Sequence, residues 1–424
     1  MATRPGSDPN DAGIGAPGAH DFKHKEAITM KARLLNLRRT LSALVALTTF
    51  AALMGFAGFP GAGLVHSAAN LSPIKIGAAG PYSGDLSKIG LDGLNAIRMA
   101  VEEANAAGGV RGRKIEIVEA DDAGDSSKAI LVAEKLAMDR AVLGVVGPMN
   151  SSTVEAALPT YQRAGLAIIS QSATKPSLTE TGYKVMHRIC PRDDAQGPAS
   201  AEFVVEVLKA KSVYIIDDKT AYGQGLSDEV EAALKASGIK TVRSQITLED
   251  RDFSPILTRV KVAKPDLLYL GLANPAQAAS IIKQAAGLGI SVKLMGGDGL
   301  KEKDQLIAGS AGLAEGMYVT TIGRAITEVP EAAEFIRKFE GKFGAMSVFS
   351  GQTYEAANIL IDAMRRASAD PSKLTRALVM EALGKTAGYK GILGFPISFD
   401  SKGDVIGAGI YVYQVKGDDF VLVR

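Results

Sequence analysis

The chain is poor in the residues that carry most side-chain catalysis. Of its 424 residues four are histidine, one is cysteine and none is tryptophan. His20, His24 and His66 all lie in the first 69 positions, which leaves His187 and Cys190 for the rest. A Cys–His or Ser–His nucleophilic pair therefore has almost no material, and no catalytic residue is assigned. A single cysteine excludes an intramolecular disulfide. The charge also lacks a bias: beyond residue 69, 41 Lys and Arg face 42 Asp and Glu, so there is no basic surplus for nucleic acid. Asp121, Asp122 and Asp125 form the one dense acidic cluster, without EF-hand spacing; it reads as a loop and helix cap, and no metal site is assigned. Gly80-Pro-Tyr82-Ser-Gly84 follows a strand but has neither the dinucleotide fingerprint nor a P-loop lysine, so no cofactor is expected.

What basic excess exists sits at the start. From Met30 the chain reads Met-Lys-Ala-Arg-Leu-Leu-Asn-Leu-Arg-Arg, runs apolar from Leu41 to Phe59, and ends in Val65-His-Ser-Ala-Ala69. A positive segment, an apolar segment and a small-residue exit are the three parts of a secretory signal. The reading is export to the periplasm with cleavage near Ala69; a membrane anchor is the alternative. Residues 1–29 are rich in Gly, Pro and Asp and precede this complete signal. Translation from Met30, or a disordered extension before it, would each account for them.

Beyond Ser72, strand and helix patterns alternate. Strands are expected from Ile74, over Lys114–Val118, Val142–Val146 and Leu166–Ile169, with helices over Gly90–Ala107 and Ser126–Asp139. A second run of the same kind follows, with strands Ser212–Ile216, Thr241–Ile246, Leu267–Leu270 and Lys293–Met295. Helices are expected over Gly223–Ser237, Pro255–Ala263, Pro275–Leu288, Glu331–Phe343, Thr353–Ala367 and Leu374–Leu383, and closing strands over Ile397–Phe399 and Gly409–Tyr413. This order predicts an α/β fold of two lobes, each a parallel sheet with helices on both faces.

Two hydroxyl-rich loops stand where such a sheet puts its ligand, at the carboxyl ends of strands. They are Gly147-Pro-Met-Asn-Ser151-Ser152-Thr153 and Ser170-Gln-Ser172-Ala173-Thr174-Lys-Pro176. Together with helix N-termini they would make a neutral cup for a carboxylate, although capping alone would explain a single loop of this kind. In the second half Tyr222 and Asp298 also follow strands. Tyr222 is either at the cleft mouth or a surface residue, and Asp298 is either a lone cleft carboxylate or a turn residue. Hydroxyls on one lobe and an acid on the other would suit a zwitterion.

In order and at matching intervals, a set of short stretches resembles the periplasmic substrate-binding proteins of ABC importers for leucine, isoleucine and valine, of the type I periplasmic binding protein family. They are Ile76–Gly84, Asn105–Gly112, Asp121-Asp122-Ala, Gly147–Thr153, Ser172-Ala173-Thr174, Gln196-Gly-Pro198, Asp218–Gly225, Asp252-Phe-Ser254 and Gly296–Gly299. The resemblance implies two Rossmann-like lobes joined by a three-crossover hinge and closing on an amino acid. It places the ligand carboxylate on Ser151, with Ser172 and Thr174, and Thr174 also matches a group that binds the ligand's amine. Tyr222 covers the ligand and Asp298 takes the ammonium, where relatives usually have Glu. Ser152, Ala173 and Tyr82 complete the expected ligand-binding set. Ala273, followed by Asn274, replaces a tyrosine near the ammonium, and the family's disulfide positions fall on Gly124 and Asn150.

Expected boundaries are 1–69 for extension and signal, 73–192 and 323–386 for the first lobe, and 193–322 and 387–424 for the second. The expected protein is a monomeric, non-enzymatic receptor that delivers an amino acid with a branched-chain, other hydrophobic or small side chain to an ABC permease. The same fold binding an amide, urea, aromatic or other carboxylate is the alternative, and an extracytoplasmic α/β enzyme a third reading.

Overall fold

The computed structural model describes residues 72–424; the expected extension and export signal lie outside the described residues. Two sheets organise them. The first has the order β2-β1-β3-β4-β5, all parallel, from β1 (Ile74–Gly80), β2 (Ile115–Asp121), β3 (Val142–Val146), β4 (Ile168–Ser170) and β5 (Met186–Arg188). The second has the order β12-β11-β10-β9-β8-β6-β7. Its strands β6 (Ser212–Asp217), β7 (Lys240–Gln245), β8 (Leu267–Gly271), β9 (Lys293–Gly296) and β10 (Tyr318–Thr321) are parallel. The last two, β11 (Tyr411–Lys416) and β12 (Asp419–Leu422), are antiparallel. Strands β3 and β8 are buried along their whole length, as continuous apolar runs must be between two helical layers.

Helices cover both faces of each sheet. In the first lobe they are α1 (Ser87–Ala106), α2 (Ser126–Met138) and α3 (Ser151–Ala164). The second lobe has α4 (Asp193–Glu206), α5 (Ala221–Ala236), α6 (Ser254–Ala263) and α7 (Pro275–Gly287). The chain then returns to the first lobe with α8 (Ala333–Phe343), α9 (Ser350–Ala367) and α10 (Arg376–Gly384), whose Leu360, Met364 and Leu383 share a core with Ile74 and Ile76 of β1. Several starts follow from local chemistry. Asp125 caps α2 by accepting the Lys128 N–H at 2.8 Å, and Thr220 caps α5 by accepting from Gly223 at 2.9 Å. Asn274 caps α7 just ahead of Pro275.

Each sheet reverses strand order once, between β1 and β3 and between β6 and β8, and the crevices at these reversals face the gap between the lobes. One expected boundary moves. Residues 389–405 belong with the first lobe, not the second: Ile397 and Phe399 enter its core, and Asp404 bridges to Arg188 of β5. The third crossing therefore falls between Asp404 and β11. An isolated alternating stretch such as Ile397-Ser-Phe399 fits either sheet, and the buried charge on Asp404 decides which. The expected strand there is reduced to isolated bridges, Tyr389 to Ile397 and Phe399 to Val405.

Candidate functional site

The β3–α3 loop folds tightly because Gly147 takes φ +95° and a Cβ there would stand 2.0 Å from the Ala79 carbonyl oxygen. That approach sets the start of α3 beside the end of β1. Asn150 occupies the cap position but makes no side-chain cap bond, so the first N–H groups of α3 are left free at the crevice. The hydroxyls are not spent on capping either. Ser151 Oγ accepts from the Lys175 N–H at 3.3 Å, which leaves its own proton to donate. Ser172 Oγ donates to the Met149 carbonyl at 3.0 Å and so locks the second loop to the first.

Ser151, Ser172, Tyr222 and Asp298 are brought together around a small, partly open cavity of ≈ 30 Å³ between the lobes. Tyr222, Leu86, Asn150 and Ala273 also line a cleft of ≈ 880 Å³ into which it opens. Tyr222 is only 7 % exposed. Its hydroxyl donates to Asp298 Oδ1 at 2.8 Å and accepts the Gly299 N–H at 3.1 Å. A side chain at Gly297 would place its Cβ 2.5 Å from that hydroxyl, so the Gly296-Gly297-Asp298-Gly299 turn admits Tyr222 only because position 297 is bare. Burial pushes the Asp298 carboxyl up to about 6 against the pull of Tyr222 and of Gln196, whose Nε2 donates at 2.9 Å.

The other expected residues stand further out or deeper. Ser152 lies in the outer cleft, where its Oγ accepts the Ala221 N–H of the opposite lobe at 3.0 Å. Ala173 and Thr174 follow the cavity-lining Ser172 and are fully buried, and the Thr174 hydroxyl has no hydrogen bond of ordinary geometry among the described residues. Tyr82 does not line the cavity. Its N–H is held by Asp121 at 2.9 Å, and its ring lies over Gly80 against the first-lobe core. The acidic cluster is loop and cap: Asp121 accepts three backbone N–H groups, Asp122 accepts from Gly124, and Asp125 caps α2. Ala273 lines the cavity, while Asn274 turns away to cap α7 and to reach Asp85.

Sequence reasoning missed the apolar wall. Ile89 of α1, Met149, Cys190, Ile322 and Phe349 form one cluster, and Ile89, Met149 and Phe349 line the cavity beside Leu86. These residues are scattered over the chain and belong to no periodic segment that would single them out. Gln196 was legible as part of Gln196-Gly-Pro198, but its role as a donor to Asp298 was not. Equally hidden was the buried Arg188, whose Nε donates to Asp404 at 2.5 Å and whose Nη1 donates to the carbonyls of Ala173 (2.9 Å) and Lys175 (2.8 Å). It holds the second hydroxyl loop in shape. Among the described residues no cluster of His, Cys, Asp and Glu is arranged to hold a metal, and no helix is long and apolar enough to cross a membrane.

The sequence pattern of the periplasmic binding protein family matches residues 73–419. The leucine-, isoleucine-, valine-, threonine- and alanine-binding protein of Pseudomonas aeruginosa is 32% identical over 367 residues, 86% of this chain and 95% of that one. A crystal structure of a leucine-binding protein from Thermotoga maritima superposes with a TM-score of 0.76 at 27% identity, covering 83% of this chain and 98% of the other. That of a branched-chain amino acid transporter substrate-binding protein from Streptococcus pneumoniae, in complex with isoleucine, gives 0.74 at 27% identity over 83% and 99%. Two α/β lobes, a three-crossing hinge and a cleft between sheet switch points agree with these likenesses: the chain belongs to the type I periplasmic binding protein family.

Proposed function

We propose that this protein is an exported, non-catalytic receptor that captures an α-amino acid with an apolar side chain between its lobes and delivers it to an ABC permease. One observation carries the reading: one cavity at the base of the inter-lobe cleft is lined by the Ser151 and Ser172 hydroxyls beside the free N–H groups of α3, by the Asp298 carboxyl from the opposite lobe, and by the apolar Leu86, Ile89, Met149 and Phe349. Donors at the start of α3 and on Ser151 meet the ligand carboxylate. Asp298, oriented by Tyr222 and Gln196, meets the ammonium. Leu86, Ile89, Met149 and Phe349 face the side chain. No step makes or breaks a bond, and closure of the lobes is the signal a permease would read. The relatives' own amino-acid ligands and the signal-like segment before Ala69 support the same reading.

Titration calorimetry of the refolded, ligand-free protein with leucine, isoleucine, valine, alanine, threonine and phenylalanine tests it. At least one should bind tightly. Binding of no amino acid, with tight binding of an uncharged amide or a simple carboxylate, would overturn the zwitterion reading. Export is tested by fractionating cells and sequencing the mature N-terminus, expected at Asn70.

A further inference from the structure

Behind the cavity lies a second carboxyl that the amino-acid reading does not use. Asp193 opens α4, directly after the first crossing between lobes, and is fully buried. Neither of its oxygens has a hydrogen bond of ordinary geometry, nor does the Thr174 hydroxyl, but the two groups are neighbours close enough to couple. The two residues are already joined through the backbone, the Asp193 N–H donating to the Thr174 carbonyl at 3.0 Å. No cation is bonded to Asp193 or to Asp298. The nearest, Arg188, spends its N–H groups on Asp404, Thr179 and the loop carbonyls. Arg192 is engaged by Asp194, Glu180 and Asp404, and Lys175 by Glu155 at 2.6 Å. The remaining titratable neighbours are Asp194, paired with Arg192, and Tyr222 of α5, Tyr269 of β8 and Cys190, which are neutral. Gly225 of α5 closes the far side, where an added Cβ would stand 3.7 Å from Asp193 Oδ2.

A buried pair of acids without a cation is costly, and the cost falls if an incoming group brings the positive charge. A hydroxyl can donate or accept, and a carboxylate beside it takes the proton and leaves the lone pairs facing the other way. We propose that Asp193 is a positioning residue for the ligand's ammonium: it takes the Thr174 hydroxyl proton, turns that oxygen's lone pairs toward the amine, and with Asp298 makes the site require an ammonium. This rests on the amino-acid reading and adds a specificity determinant to it. Burial first, and then the Asp298 charge, raises the Asp193 carboxyl well above the ordinary range. An ammonium entering between the two acids favours their charged forms, so a proton held by the empty site leaves on binding.

The test is calorimetry of the full protein and of Asp193→Asn with leucine and with 4-methylpentanoate, its deaminated analogue. Titrations run from pH 6 to 8, in phosphate and in Tris. For the unsubstituted protein, leucine binds with release of a proton, tightens as pH rises, and is strongly preferred over 4-methylpentanoate. Asp193→Asn should weaken leucine about tenfold to a hundredfold, flatten the pH dependence and shrink the preference. Thr174→Val should weaken leucine as well, and the two substitutions combined should cost less than the product of their separate effects. Wild-type affinity and pH profile in Asp193→Asn would overturn the proposal, as would independent effects of the two substitutions. If the unsubstituted protein binds no amino acid, the functional reading itself falls, and this assignment with it.

Discussion

Asn274 Nδ2 donates to Asp85 Oδ2 at 3.0 Å, joining the start of α7 in one lobe to the β1–α1 loop of the other across the cleft mouth. Gln305 Nε2 adds a bond to the Asp85 carbonyl at 3.1 Å, and Ser152 accepts from Ala221 nearby. The same Asn274 side chain caps its own helix through Oδ1, so the donor is held in place before the lobes meet. These bonds cross from one lobe to the other and involve none of the polar groups that line the small cavity.

Removing Asp85 should therefore weaken every ligand alike. Asp85→Ala is expected to raise Kd about three- to tenfold, mostly through faster dissociation, because the carboxylate is exposed and each bond is modest. The ranking of ligands should not change. Stopped-flow dissociation across an amino-acid panel checks this, and a changed ranking would place Asp85 in the binding site proper.

The carboxylate end depends on Ser151. Ser151→Ala removes a donor of a charge-assisted bond and should raise the Kd for amino acids about tenfold or more. Folding stability should hardly fall, since the hydroxyl accepts only one long bond, from Lys175. Calorimetry and urea unfolding on the same preparation separate the two effects.

On its apolar side the small cavity is bordered by Phe349, which also lines a neighbouring space of ≈ 490 Å³ with Thr321, Gln352 and Lys301 among others. It does so from φ +70°, a left-handed conformation that a bulky residue adopts only at a cost. Phe349→Ala should open one space into the other. Affinity for branched side chains is expected to drop while that for phenylalanine holds or improves, with a stability loss of about 3 kcal/mol or more. An unchanged preference in a competition assay would contradict this.

Asp298 links binding to stability. Its carboxyl titrates at about 6 in the empty protein because burial penalises the charge, but at about 3.9 in the unfolded chain. Between those values the folded state keeps a proton that the unfolded state has lost, so stability falls as pH rises through the window and then levels off. Asp298→Asn should raise the unliganded Tm at pH 7 and lose that advantage below about pH 4, while amino-acid binding collapses. Calorimetric scans at three pH values test this; no gain at pH 7 would argue that the carboxyl is not desolvated.

A charge pair at the hinge makes a different demand. Arg188 is fully buried, and Asp404 reaches it from the last segment of the first lobe at 2.5 Å. Asp404→Ala leaves that guanidinium without its counter-ion and should cost about 3–5 kcal/mol of folding stability, read from urea midpoints.

Much of this molecule was legible in its sequence. Continuous apolar runs such as Val142–Val146 read as strands buried on both faces, and Asp125 read as a helix cap because a short polar side chain before an apolar period satisfies free N–H groups locally, whereas the Asn274 cap emerged only in the structure. The loops carrying Ser151, Ser172, Tyr222 and Asp298 were also visible, since they follow such strands directly. Local pattern could not choose a sheet for Ile397-Ser-Phe399, whose alternation fits either. Nor could it tell that Tyr82 turns onto Gly80 while Phe349, from a distant helix start, completes the wall.

The sequence alone determined two α/β lobes, the polar ends of the site and the poverty of catalytic side chains, because each depends on residues close together in the chain. Tertiary structure decided which apolar residues line the cavity, that Asn274 reaches Asp85, and that Asp193 stands beside Thr174 without a bonded cation. Those relations depend on how two separately built sheets face each other, and no local periodicity records that.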